Sequence, residues 1–215
     1  MYRKPTLFGA AYASRLAHEI DAQNTPTYDA LWSQTQGQLN LHNGEHRKVL
    51  LAWLNQWNSR TAKVTFPFAA LRRCQDRWRL PDKDIANLRS SDLDALCGAY
   101  ETLVEINHIG PTIASKVLFA ACPRAAMMWD KAIQVRLDLS SRTDGYRRLL
   151  EQSHREAATL IESAAHSGVP MRRVLRGGRA HTLARLLDAY HWITITRGHV
   201  IPSCKEVQWW FKLIG

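Results

Sequence analysis

Ile106-Asn107-His108-Ile109-Gly110-Pro111-Thr112-Ile113-Ala114-Ser115-Lys116, with Met127-Met128-Trp129-Asp130 a short way downstream, is the stretch that decides the fold. Before it, Ser91-Asp92-Leu93-Asp94 carries an N-terminal capping signal, and the apolar spacing that follows predicts a helix over 92–105. Pro111 suits the first position of a helix, and 111–121 continues without a breaker until Cys122-Pro123. Only residues 106–110 join the two helices, which makes a tight helical hairpin. A turn opening into a helix start points several backbone N–H groups outward, with the positive end of the helix behind them. Such a turn grips a phosphate and reads no base sequence.

Outward from the hairpin the pattern stays helical. Helices are predicted over 7–21 and 27–39, parted by Asn24-Thr25-Pro26, and Val49, Leu50, Trp53, Leu54 and Trp57 make one apolar face of another. Pro67 starts a helix through Trp78, and Asp130 caps a short one to Leu139. Asp144 begins a long helix ending near Gly168, and Pro170 and Gly177-Gly178 frame a short one. Ala180 to Ile193 is helical, and Ser203 with Glu206 forms a capping box for the last helix. Thr194-Ile195-Thr196 is β-prone but isolated, and Trp209-Trp210-Phe211 reads as core. No repeat, low-complexity tract or linker divides the chain.

The composition narrows the class. At 215 residues and 46% hydrophobic content the chain can fill a core, which excludes disorder. Lys plus Arg is 29 against 19 for Asp plus Glu, a formal charge of +10 that points to a polyanion such as nucleic acid. Between Pro170 and Gly215 there are eight basic residues and two acidic ones, so the tail suits a second phosphate contact as well as an ordinary basic surface. Cys74, Cys97, Cys122 and Cys204 are too far apart for a zinc or iron–sulfur ligand set, and the nine histidines follow no metal pattern. No apolar run is long enough to span a bilayer and the N-terminus is too polar for a secretory signal, so a cytoplasmic protein with reduced cysteines is expected.

The hairpin and the aspartate beyond it resemble the helix-hairpin-helix DNA glycosylase superfamily, which includes endonuclease III and the adenine-mismatch, 8-oxoguanine and 3-methyladenine glycosylases. Ile106, Ile109, Gly110, Ala114 and Ser115 match its hairpin, whereas Asn107 and His108 stand where the family has Pro and Gly. Asp130 follows Thr112 by 18 residues, and Thr112 occupies the place of the lysine that lyase-active members carry. The resemblance implies an all-α, two-lobed fold with a central cleft. Residues 45–137, with the hairpin at 92–121, would form the central lobe, and 1–44 with 138–215 the other. It implies a monomer that binds double-stranded DNA, rotates a damaged or modified nucleotide out of the helix and hydrolyses its N-glycosidic bond, in repair or in defence against modified phage DNA.

In that chemistry positive charge builds on the sugar, and a fixed carboxylate near C1′ stabilises it and orients water. Asp130 is the candidate catalytic residue, although Asp also serves as a plain helix cap. His108, Ile109, Gly110, Thr112, Lys116 and Lys131 are candidate backbone contacts. Trp129 is a candidate for the base pocket, and Asn55 with Arg60, at a spacing similar to that in 8-oxoguanine glycosylases, for a wedge that fills the hole left by the base. With threonine at 112 no Schiff base forms there, so the resemblance implies a monofunctional enzyme leaving an abasic site. It also implies no cofactor, neither metal nor iron–sulfur cluster, beyond the monovalent cation that some relatives hold at hairpin carbonyls. The alternatives are a non-catalytic DNA-binding protein, and a bifunctional glycosylase and lyase that works through Lys116 or Lys131.

Overall fold

A computed structural model describes residues 2–23, 27–56 and 66–214. Among them every regular element is helical: α1 Leu7–Asp21, α2 Tyr28–Thr35, α3 Gly44–Gln56, α4 Phe68–Gln75, α5 Ser90–Val104, α6 Pro111–Ala121, α7 Lys131–Arg136, α8 Thr143–His166, α9 Met171–Gly177, α10 Leu183–His191 and α11 Cys204–Ile214. A 3₁₀ turn, Ile85–Asn87, precedes α5, and a π turn, Trp192–Thr196, continues α10. The β-prone Thr194-Ile195-Thr196 is therefore wound into a helix. No helix among the described residues is long and apolar enough to cross a membrane.

Local chemistry sets most boundaries. Thr6, Thr27 and Thr182 each cap a helix by accepting a hydrogen bond from a backbone N–H in its first turn. Ser203 and Glu206 exchange the two bonds of a capping box at α11. The expected helix over 27–39 stops at Thr35 because Gln36 and Gly37 turn left-handed. α5 begins two residues earlier than expected, since the Asp92 carboxylate reaches back to the Arg89 N–H. α10 begins at Leu183 rather than Ala180, where Thr182 both caps the helix and donates to the Pro123 carbonyl at 2.7 Å. That bond ties α10 to the loop after α6.

One apolar core runs through the molecule, from Leu7 in α1 through Trp53, Leu96, Phe119, Trp129 and Leu149 to Leu187 and Ile193. α1 packs on α9, α10 and α11, α2 on α3, and α5 on both α6 and α8. Of the lobes expected from the sequence, α1 gathers with α9, α10 and α11, while α8 lies chiefly on α5. Asp21 is a polar joint in the core: its carboxylate accepts from the Tyr28 N–H at 3.0 Å and from Gln56 Nε2 at 3.2 Å, holding the ends of α1 and α3 to the start of α2. Trp209, read as core, is 66% exposed.

Candidate active site

Asp130 ends the loop after α6 and caps α7, with Oδ1 accepting from the Ile133 N–H at 2.9 Å. Its Oδ2 accepts from the Thr196 hydroxyl at 2.7 Å. Thr196 reaches the carboxylate because the π turn carries it past the end of α10 toward α7. Both oxygens are thus held, one by backbone and one by a side chain 66 residues away.

The half-buried Asp130 lines a pocket with Met128, Trp129, Ile133 and Trp192 as apolar walls and Lys116, Arg185 and Asp188 as charged ones. The pocket has a void of about 50 Å³ and about 400 Å³ with its open mouth. Arg185 Nη1 donates to Asp188 Oδ2 at 2.6 Å, and its guanidinium stacks over the Tyr28 ring at 4.8 Å. Burial raises the Asp188 carboxyl above its ordinary value, against the pull of Arg185, His191 and Lys116. Burial brings the Lys116 ammonium down to about 8, with Asp188 and Asp130 opposing the shift.

The hairpin stands beside this pocket. Trp129 is 1% exposed; its Nε1 donates to the Pro111 carbonyl at 3.2 Å and its N–H to Ser115 Oγ at 3.3 Å. Its ring packs edge-on against the stacked pair Tyr100 and Tyr146. The residue before Asp130 is thereby locked to the first turn of α6. At that turn the N–H groups of Gly110, Thr112 and Ile113 have no acceptor among the described residues, and Gly110 is exposed with open space around its Cα. His108 is exposed and left-handed, φ 70°, a conformation that glycine takes most readily.

Two expectations for this region need correction. Ile109 is a core residue whose N–H already donates to the Ile106 carbonyl at 2.9 Å, so it is not a phosphate donor. Lys116, expected on the phosphate face, is 8% exposed and lines the pocket with Asp130 and Asp188 instead of facing solvent. Lys131 is exposed, outside the pocket lining. Asn55 is half-buried in the last turn of α3 and does not line the pocket, and Arg60 lies outside the described residues.

Arg185, Asp188, Trp192 and Thr196 escaped the sequence reading. Two charges three apart within the otherwise apolar Leu183–Tyr190 run are the signal that marks them, since lone charges on a buried helix need partners. Thr196 has no such signal, because the π turn that delivers it leaves no mark in composition. Among the described residues no group of three or more His, Cys, Asp or Glu could hold a metal ion. Comparison of the chain with protein-family models, curated proteins and solved structures found no match.

Proposed function

We propose that this protein is a DNA N-glycosylase of the helix-hairpin-helix type, a cytoplasmic monomer that takes a damaged or modified base out of duplex DNA and leaves an abasic site. One observation carries the reading: a carboxylate fixed on both oxygens opens on a pocket and is tied through Trp129 to a hairpin with outward amides. In this reading the Gly110, Thr112 and Ile113 amides hold a phosphate of the target strand. Asp130 faces C1′, where its negative charge stabilises the oxocarbenium-like state and orients the attacking water. Trp192 and Met128 sit at the walls a base would stack on. The void is smaller than a base, so entry requires a side chain such as the half-buried Trp192 to swing aside.

The test is release of free base. The protein is incubated with genomic DNAs carrying oxidised, alkylated, deaminated or phage-type modified bases, and the supernatant is read by mass spectrometry. Release by wild type and loss in Asp130→Asn, with DNA affinity kept, is the expected result. Full turnover by Asp130→Asn would remove the assignment. DNA binding without release from any substrate would favour a non-catalytic binding protein.

The place of Lys116 favours a second activity of the same pocket. Its neutral amine can attack C1′ of the abasic aldehyde and expel water to form an imine, after which loss of the C2′ proton breaks the 3′ C–O bond. Borohydride would trap that imine as a protein–DNA adduct. An adduct lost in Lys116→Ala and kept in Lys131→Ala is expected, and no adduct with wild type would leave Lys116 as a pocket-wall residue.

A further inference from the structure

A second depression, larger than the pocket at Asp130, lies on the other side of the π turn. It has a total volume of about 700 Å³ against about 400 Å³, and the turn is the partition: Trp192 faces the first, Thr194 and Ile195 the second. Arg3 from the N-terminal segment, Arg136 from the last turn of α7 and His199 from the loop after the π turn all line it, and no carboxylate does. All three are exposed, and among the described residues neither arginine has a carboxylate within salt-bridge distance. Three elements distant in sequence thus aim basic groups at one groove that supplies no counter-charge. Arg197, exposed and over the Trp192 ring at 5.5 Å, adds a further cation on the π turn's flank.

We propose that this groove holds the phosphodiester backbone of the target DNA strand a few nucleotides from the extruded one, a second grip opposite the hairpin. The proposal rests on the glycosylase reading and adds the path of the strand. Arg136 follows Asp130 by six residues, about 9 Å along α7. That offset keeps the groove within a few nucleotides of the extruded one. The hairpin amides and the groove then pin the strand on both sides of the pocket, which keeps the backbone bent while the base is out. Ile195, Val200 and Ile201 give the groove aliphatic walls between its basic groups, and Tyr2, Tyr190 and Thr194 complete its lining.

The experiment measures binding of a duplex containing a tetrahydrofuran abasic analogue across a salt series, for wild type and for Arg3→Ala/Arg136→Ala. Each phosphate contact contributes about 0.9 to the slope of log K against log salt, so the double variant should lose about 2 from the slope and bind about tenfold more weakly. Base release at sub-saturating DNA should fall in step with the lost affinity. An unchanged slope, with wild type still binding DNA and Asp130→Asn still inactive, overturns the groove and leaves the glycosylase reading standing. No DNA binding by wild type overturns both. A free mononucleotide that saturates the groove and is lost in the double variant, with the DNA slope unaltered, would make it a small-molecule site and overturn the proposal. Melting curves of the double variant matching wild type establish that the exposed substitutions leave the fold intact.

Discussion

Lys116 is the residue whose environment differs most from its chemistry. Burial between Asp130 and Asp188 leaves an ammonium that gives up its proton near 8 rather than near 10.5. The sign follows from linkage: between those values the unfolded chain binds more protons than the folded one, so this group makes stability rise with pH across that window. Lys116→Met removes the buried charge while keeping the length of the side chain. We expect Lys116→Met to be more stable than wild type at pH 7 by about 1–3 kcal/mol, an advantage that shrinks as pH rises toward 10. Urea melts at three pH values check it, and a difference that does not vary with pH would refute the protonation argument. In the proposed reaction Thr196 acts through the carboxylate it holds. Thr196→Val removes a hydrogen bond to a charged acceptor and leaves one Asp130 oxygen without its partner. Base release should fall about tenfold while DNA affinity stays the same, as expected when only the orientation of the carboxylate is lost. Equal losses in both would mean that Thr196 contributes through the fold instead.

At the scale of elements, the hairpin was the most legible part of the chain and its turn the least. Capping and breaker residues marked both helices, because Asp92 and Pro111 act within a few residues of where they sit. The left-handed backbone at His108 is marked by no glycine in the chain, although histidine takes that conformation more readily than most residues. Ile109, buried and bonded to the Ile106 carbonyl, and Gly110, opening α6, impose it here. His108→Gly should relieve the strain and raise stability by about 0.5–1 kcal/mol, read as a higher Tm. Because the outward amides belong to Gly110, Thr112 and Ile113, DNA affinity should change little; a large loss would show that the imidazole itself touches phosphate. The site behind the hairpin was half legible. Asp130 could be found by spacing, but Arg185, Asp188 and Trp192 come from α10 and its π turn more than fifty residues on, and only the tertiary fold brings them to the same pocket. A sequence reports what a residue does to its own helix far better than what it meets from another.

For the whole molecule, the question is what holds the C-terminal helices against the hairpin so that the pocket keeps its shape. A buried polar cluster behind α10 does part of this. His191, 0% exposed and one turn after Asp188, places Nε2 3.1 Å from Glu156 Oε2 on α8. Tyr2 donates its hydroxyl to Glu156 Oε1 at 2.8 Å and lies 3.0 Å from the same imidazole nitrogen, so the N-terminal segment is pinned to both helices. Burial by itself would raise the Glu156 carboxyl, but His191, Gln152 and Tyr2 together hold it below its ordinary value. A carboxyl depressed in the folded state contributes stability that is complete above its unfolded value and is lost as pH falls through the folded one. Tyr2→Phe removes one donor from a buried carboxylate and should cost about 1–3 kcal/mol at pH 7. The cost should shrink as pH falls below the ordinary glutamate value and through the depressed folded one. Tyr2 also borders the basic groove beside Arg3, so the same variant should weaken DNA binding in step with N-terminal detachment, measured by hydrogen exchange at residues 2–6. Faster exchange there with unchanged DNA affinity would separate the anchoring of the segment from any part in holding the strand.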